Sequence, residues 1–250
     1  MTFCARRSER GLRHLKAGLT VNNSMDFSDR YDAVAPSVVK VTSYAADGKA
    51  ESIGSGIAVG NGSFVVTCDH CITGAYSTVS TAEGREHRVS LHSTDRDRDL
   101  ALLKCAERIA NPAAVLCDRA KVGQPSFCVG YPMGVTTPHA MFAHIAGFEI
   151  VCGFELIRLD ASVNHGNSGG PLFDMDGRVM GIVNAKHGGL SKILDKAEAG
   201  KGKLQMWSGE MEVFGTLKEV ITEMRVNLNL GIGYAIPSDA MIATFPDIAS

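Results

Sequence analysis

The sequence predicts an all-β protein built as antiparallel barrels or a sandwich. Three observations carry that expectation. From Ser37 onward the chain falls into short β-branched or alternating runs, about a dozen of them. Gly, Asn, Asp or Pro separate the runs, and helical patterns are confined to the two ends and one interruption.

The first element expected is a short helix over 27–34, stopped by Ala35-Pro36, because proline disfavours the α region for the residue before it. Residues 38–44, 56–59 and 64–67 are rich in Val and Thr, whose branched side chains suit an extended chain. Runs at 76–80, 88–92 and 101–104 follow, then 126–129, 139–146 and 155–159, and finally 171–173, 179–184 and 231–236. Ser238 is placed to cap a terminal helix over 239–244. The interruption is 190–230, with charged helical stretches at 190–199 and 216–225. In the second, Leu217, Val220, Ile221 and Met224 form one apolar stripe that must pack on something.

Composition excludes several classes. The chain has 250 residues, and its 25 Lys+Arg against 27 Asp+Glu leave a net charge of −2, so no global field recruits nucleic acid or an anionic membrane. The longest apolar candidates, such as 145–157, are interrupted by Glu149 and Glu155 and fall short of a bilayer span, so no integral membrane segment is expected. The seven cysteines are odd in number and mostly set in apolar surroundings, which reads as reduced thiols packed as small hydrophobes. Residues 1–20 carry five Arg or Lys against Glu9 but lack the apolar stretch of a secretory signal. The expectation is therefore a reducing intracellular compartment and no secretion by a signal peptide. For the tail itself two readings stay open, a frayed basic segment or an organelle transit peptide.

The most informative motif is Gly166-Asn167-Ser168-Gly169-Gly170-Pro171. At this chain's composition its chance occurrence is on the order of 3 in 100,000. A nucleophilic serine must sit on a sharp turn with its Oγ exposed, while the amides of Gly166 and Ser168 converge where negative charge develops on a tetrahedral intermediate. A serine hydroxyl is a weak nucleophile alone and needs a base. His70 directly follows an apolar strand and suits that task. Asp99 abuts the next strand and would fix the imidazole tautomer, whereas Asp95 and Asp97 read as a solvated run paired with Arg96 and Arg98. The chain order His70, Asp99, Ser168 is a known solution of the triad.

With those residues in place, the chain resembles the trypsin/chymotrypsin family and, in detail, its HtrA (Deg) branch. Gly54-Ser55-Gly56, the block around His70, Asp99-Leu-Ala-Leu-Leu-Lys, Val129-Gly130-Tyr131-Pro132-Met133-Gly134, Asn164 to Leu172 and Gly231 to Ser238 follow that branch's blocks in order over 27–245. The resemblance implies an all-β, chymotrypsin-like double six-stranded β-barrel with short N- and C-terminal helices and a helical insertion at 190–230. It also implies a basic tail over 1–26 and a protease domain over 27–250, with barrels at roughly 27–120 and 121–250. The activity implied is that of a serine endopeptidase acting on polypeptide substrates, without a cofactor or metal. A homo-oligomer, a trimer joined through the N-terminal segment, belongs to the same expectation.

Departures from the family narrow the reading. Secreted relatives carry an acid where this chain has Asn167, so activation through a new N-terminus is not expected. They pair the cysteine after the histidine with one on an earlier strand, but only Cys4 precedes Cys68, so Cys71 is expected free. No PDZ domain fits after Ile236. Ser162 matches the family's pocket-base position and is neutral, so the resemblance implies small or medium aliphatic side chains at the cleavage site. Asn184, Ala185 and Lys186 match the strand that binds substrate backbone and walls the pocket; the Lys186 stem narrows it, or its ammonium favours an acidic side chain.

Readings from other classes are weaker. Cys68, His70 and Cys71 suggest zinc, but no second ligand pair accompanies them. Gly54, Gly56 and Gly60 suggest a dinucleotide loop, but no helix follows to supply a phosphate site. The serious rival is a protease fold kept as a binder of unfolded polypeptide.

Overall fold

The structure is a computed structural model and describes residues 26–113, 119–185 and 231–249. Helix α1 spans Phe27–Val34. Asp26 caps it, accepting the Phe27 N–H at 2.6 Å, while the Asp29 carboxylate accepts the Asp26 N–H at 3.2 Å. A 3-10 turn over Ala35–Ser37 carries the proline stop expected of the sequence.

Twelve strands follow, in two sets of six. The first set is β1 (Val38–Tyr44), β2 (Ala50–Val59), β3 (Phe64–Thr67), β4 (Tyr76–Ser80), β5 (Glu86–Asp95) and β6 (Leu100–Cys105), closed in the order β1-β2-β3-β6-β5-β4. The second is β7 (Pro125–Gly130), β8 (His139–Val151), β9 (Phe154–Leu159), β10 (Pro171–Asp174), β11 (Val179–Val183) and β12 (Gly233–Pro237), closed as β10-β11-β12-β9-β8-β7. Every pairing is antiparallel, and closure leaves no open sheet edge. Helix α2 (Ser238–Thr244) follows the last strand.

Side-chain alternation explains where the core lies. Val39, Val41, Val65, Val79 and Leu103 fill the first barrel, and Ile145, Ile157, Leu159, Leu172 and Met180 fill the second. Their neighbours one residue away point the other way: Val38, Val66 and Leu102 join Phe127, Val129, Tyr131 and Phe173 in a third cluster that joins the barrels. The strands are therefore buried on both faces near this junction. That burial makes them continuous apolar runs in sequence.

Several boundaries differ from the sequence expectation, four of them instructive. Strand β2 begins at Ala50 because its first half is polar and mostly exposed, so pattern alone marks only the buried half. Strand β5 extends beyond 88–92 for the same reason, and β8 continues past a register shift between Ile145 and Gly147. Ser238 is the first residue of α2 and not its cap, that place falling to Pro237. The insertion at 190–230, the tail over 1–25 and Lys186 lie outside the described residues. Among the described residues no helix is long and apolar enough to cross a membrane.

Candidate active site

Three connections between strands deliver the chemistry to the junction. His70 sits in a 3-10 turn, Asp69–Cys71, directly after β3. Asp99 ends the turn before β6, and Ser168 lies in the connection leading into β10. Asp99 adopts a left-handed backbone with φ 59°, a conformation that Asp tolerates better than most residues and that is over-represented at functional sites.

The Asp99 carboxylate holds His70 at two points. Oδ1 accepts the His70 backbone N–H at 2.9 Å, and Oδ2 pairs with Nδ1 at 2.6 Å. The Asp69 N–H donates to the Asp99 carbonyl at 3.2 Å, and Thr94 Oγ1 donates to Asp69 Oδ1 at 2.5 Å, so the turn carrying the imidazole is tied to the β5–β6 connection. Asp99 is buried, with 9% of its side chain exposed against 28% for His70. Burial of the ring works against the imidazolium. The Asp99 hydrogen bond, reinforced by Cys71 and by the Asp99 charge, outweighs that and raises the His70 pKa. Asp95 pairs with Arg98 at 2.7 Å, in keeping with its reading as part of a separate charge run.

Ser168 is buried, and its Oγ accepts the Ala185 N–H at 3.2 Å. Among the described residues no hydrogen bond joins it to His70. Catalytic contacts are often long in the absence of substrate and tighten in the complex. The amides around it are arranged by their carbonyls. The His165 carbonyl accepts the Met133 N–H at 2.7 Å and the Asn167 carbonyl accepts the Gly170 N–H at 3.0 Å. In a trans peptide the N–H opposes the C=O, so the Gly166 and Ser168 N–H groups point away from those partners. Neither is engaged by an acceptor among the described residues. Gly166 has φ 91°, and a Cβ there would lie 2.2 Å from the Tyr131 carbonyl, so only glycine fits.

Not every residue expected at the site is brought to it in the expected role. The Asn184 side chain turns to Asp99: Nδ2 donates to Asp99 Oδ2 at 3.0 Å, while its backbone N–H is committed to the Tyr234 carbonyl. Ala185 reaches Ser168 through its amide. Ser162 is exposed between Ala161 and Val163, which pack in the second barrel. Lys186 lies outside the described residues, so the pocket they would share is not described. Cys71 is free, and its Sγ lies 3.7 Å from the Ser168 carbonyl. Of the zinc candidates Cys68, His70 and Cys71, the first two place ligand-type atoms within 4.8 Å of one another together with Asp99 in place of Cys71, but the imidazole and carboxylate are committed to each other and the Cys68 thiol donates to the Val183 carbonyl at 3.4 Å. Asn184 was expected at the site, but for substrate backbone and not for Asp99, and pattern reading gave no role to Ser55, whose hydroxyl meets the Gly166 carbonyl. Ser55 stood inside a recognisable block, but nothing local assigned it a task.

Two closed antiparallel barrels with a histidine, an aspartate and a serine at their junction define a chymotrypsin-like peptidase fold. The family model described as "Trypsin-like peptidase domain" matches residues 54–182, and the chain belongs to that family. Within it the chain is similar to proteins of the HtrA/DegP kind. A probable periplasmic serine endoprotease DegP-like of Bartonella henselae is 35% identical over 140 residues, covering 54% of this chain and 28% of that protein. One of Pseudomonas fulva is 31% identical over 218 residues, covering 78% and 43%. The chain thus spans less than half the length of these relatives. A protease of M. tuberculosis solved in its active form superimposes with TM-score 0.63 at 21% identity, covering 93% of this chain and 88% of that one.

The relatives correct one expectation. They are named periplasmic, which overturns the intracellular, reducing compartment and the exclusion of secretion. The physical reason is that most of the described thiols do not report their surroundings: Cys68, Cys71, Cys105 and Cys128 are buried and pack as small hydrophobes in either redox setting, and only Cys152 among the described cysteines is exposed.

Proposed function

We propose that the chain is a serine endopeptidase that cleaves polypeptides through an acyl-enzyme. The observation that carries this is the Asp99–His70 hydrogen bond of 2.6 Å set beside a serine whose flanking amides are unengaged. In this reading Ser168 Oγ attacks the scissile carbonyl and His70 Nε2 takes its proton. Asp99 keeps the other ring nitrogen protonated and stabilises the imidazolium. The Gly166 and Ser168 N–H groups receive the oxyanion, and His70 then passes the proton to the leaving amine before water repeats the cycle on the ester. Cleavage after small or medium aliphatic residues follows from a neutral Ser162. The periplasmic relatives favour an extracytoplasmic setting.

A second reading, a binder of unfolded polypeptide or a conditionally inactive enzyme, is favoured by one observation. Ser168 Oγ accepts the Ala185 N–H, and among the described residues no hydrogen bond joins it to His70. Intact-mass analysis after treatment with a fluorophosphonate, on the wild type and Ser168→Ala, separates the two. A single adduct on the wild type and none on the variant is expected. No adduct on folded wild type, with or without an unfolded protein substrate present, would sink the endopeptidase reading.

A further inference from the structure

We infer that Ser55 is a positioning residue for the oxyanion hole, its hydroxyl clamping the Gly166 carbonyl and the Tyr131 amide together. The inference rests on the reading of Ser168 as nucleophile. Ser55 lies on β2 of the first barrel, fully buried, yet the partners of its hydroxyl belong to the second. Its Oγ donates to the Gly166 carbonyl at 2.6 Å and accepts the Tyr131 N–H at 2.8 Å. A carbonyl only accepts and an amide N–H only donates, so the hydroxyl proton has one orientation. The Ser55 backbone N–H donates to the Ser168 carbonyl at 2.8 Å, and its carbonyl accepts from Thr67 Oγ1 at 2.7 Å. Every polar group of the residue is thus committed around the nucleophile.

The consequence falls on Gly166. Glycine has no Cβ to limit its backbone, so the direction of its N–H is set by what holds the peptides on either side. The preceding peptide is held by Met133 and the following one by Ser55. Ser55 also pins Tyr131, two residues before Met133, so one hydroxyl steadies both clamps. A Cβ on Gly130 would lie 2.8 Å from the Ser55 oxygen, so a side chain added at Gly130 would push against the clamp.

The test compares fluorophosphonate acylation rates of the wild type, Ser55→Ala and Ser55→Cys at a temperature where circular dichroism shows all three folded. Ser126→Ala is the control, since it also removes a buried hydroxyl bond, to the Ala143 carbonyl at 3.1 Å, away from the site. Ser55→Ala is expected to slow acylation about 10- to 100-fold, somewhat less than losing an oxyanion donor outright. Ser55→Cys, with a weaker donor, falls between, and carries the test if Ser55→Ala does not fold. Ser126→Ala lowers the melting temperature without slowing acylation. Wild-type rates in folded Ser55→Ala or Ser55→Cys, or an equal loss in Ser126→Ala, overturn the positioning role alone. Wild type that takes no adduct removes the underlying reading as well.

Discussion

Replacing Asn184 by alanine separates two roles that one position can have in this fold. If Asn184 served only to pair with substrate backbone, its side chain would be dispensable, and any loss would fall on KM. The structure instead sends Nδ2 to Asp99 Oδ2 at 3.0 Å, with Asn184 fully buried. That oxygen also binds His70 Nδ1 at 2.6 Å. A hydrogen bond to a charged group is worth about 1.5–3 kcal/mol, which converts to a fall of about 10- to 100-fold in kcat if the bond matters fully at the transition state. The carboxylate deprived of this donor becomes more basic and leans harder on the imidazolium, so the His70 pKa rises further. Asn184→Asp is expected to be worse than Asn184→Ala, because it puts a like charge against Asp99 with almost no change of shape. The assay is kcat and KM on a quenched fluorogenic peptide between pH 5 and 10. The expected result is a lowered kcat, KM within about threefold of wild type, and an ascending limb moved to higher pH. A raised KM with unchanged kcat and an unmoved pH profile would refute the argument.

Three further predictions follow from the geometry of the junction. The base must be neutral to accept a proton, so kcat/KM should rise with pH through the His70 pKa, above the ordinary imidazole value of 6.5, and an ascending limb at or below that value would count against the Asp99 bond. Linkage has the matching sign: the raised native pKa contributes stability in full below the unfolded value, and that contribution is lost as pH rises through the native one, which chemical denaturation at several pH values will show in Asp99→Asn by its absence. At Gly54 a Cβ would lie 3.2 Å from Cys71 Cβ, so Gly54→Cys should form the bridge that secreted relatives use. Closing that short loop should add about 3 kcal/mol, read as a higher melting temperature. Two free thiols at these positions after mild oxidation would show that the strand and the turn are not so close.

Much of this protein was legible without coordinates, because the features concerned are local. Alternation and β-branching marked all twelve strands, since a strand buried on one or both faces imposes its period on consecutive residues. The Gly-rich turn around Ser168 needs positive φ at Gly166 and Gly169, which their neighbours in sequence declare. His70 and Asp99 were found because each adjoins an apolar strand that holds it. Where a strand half was polar, as in β2 and β5, the period faded and so did the boundary.

What only the tertiary structure decided were the contacts between side chains far apart in the chain. Ser55 meets the Gly166 carbonyl across 111 residues and Asn184 meets Asp99 across 85, and neither partner alters the local pattern of the other. The resting contact of Ser168 Oγ with Ala185 is of the same kind. Burial decided the thiols likewise. A cysteine shows its type in sequence, but whether it senses a compartment depends on exposure that two packed barrels create. The sequence by itself determined which elements form and which candidate groups adjoin them, because propensity and turn geometry act over a few residues. The closure of the barrels decided how those groups are held, because hydrogen-bond direction at the junction depends on atoms that meet only when both barrels are complete.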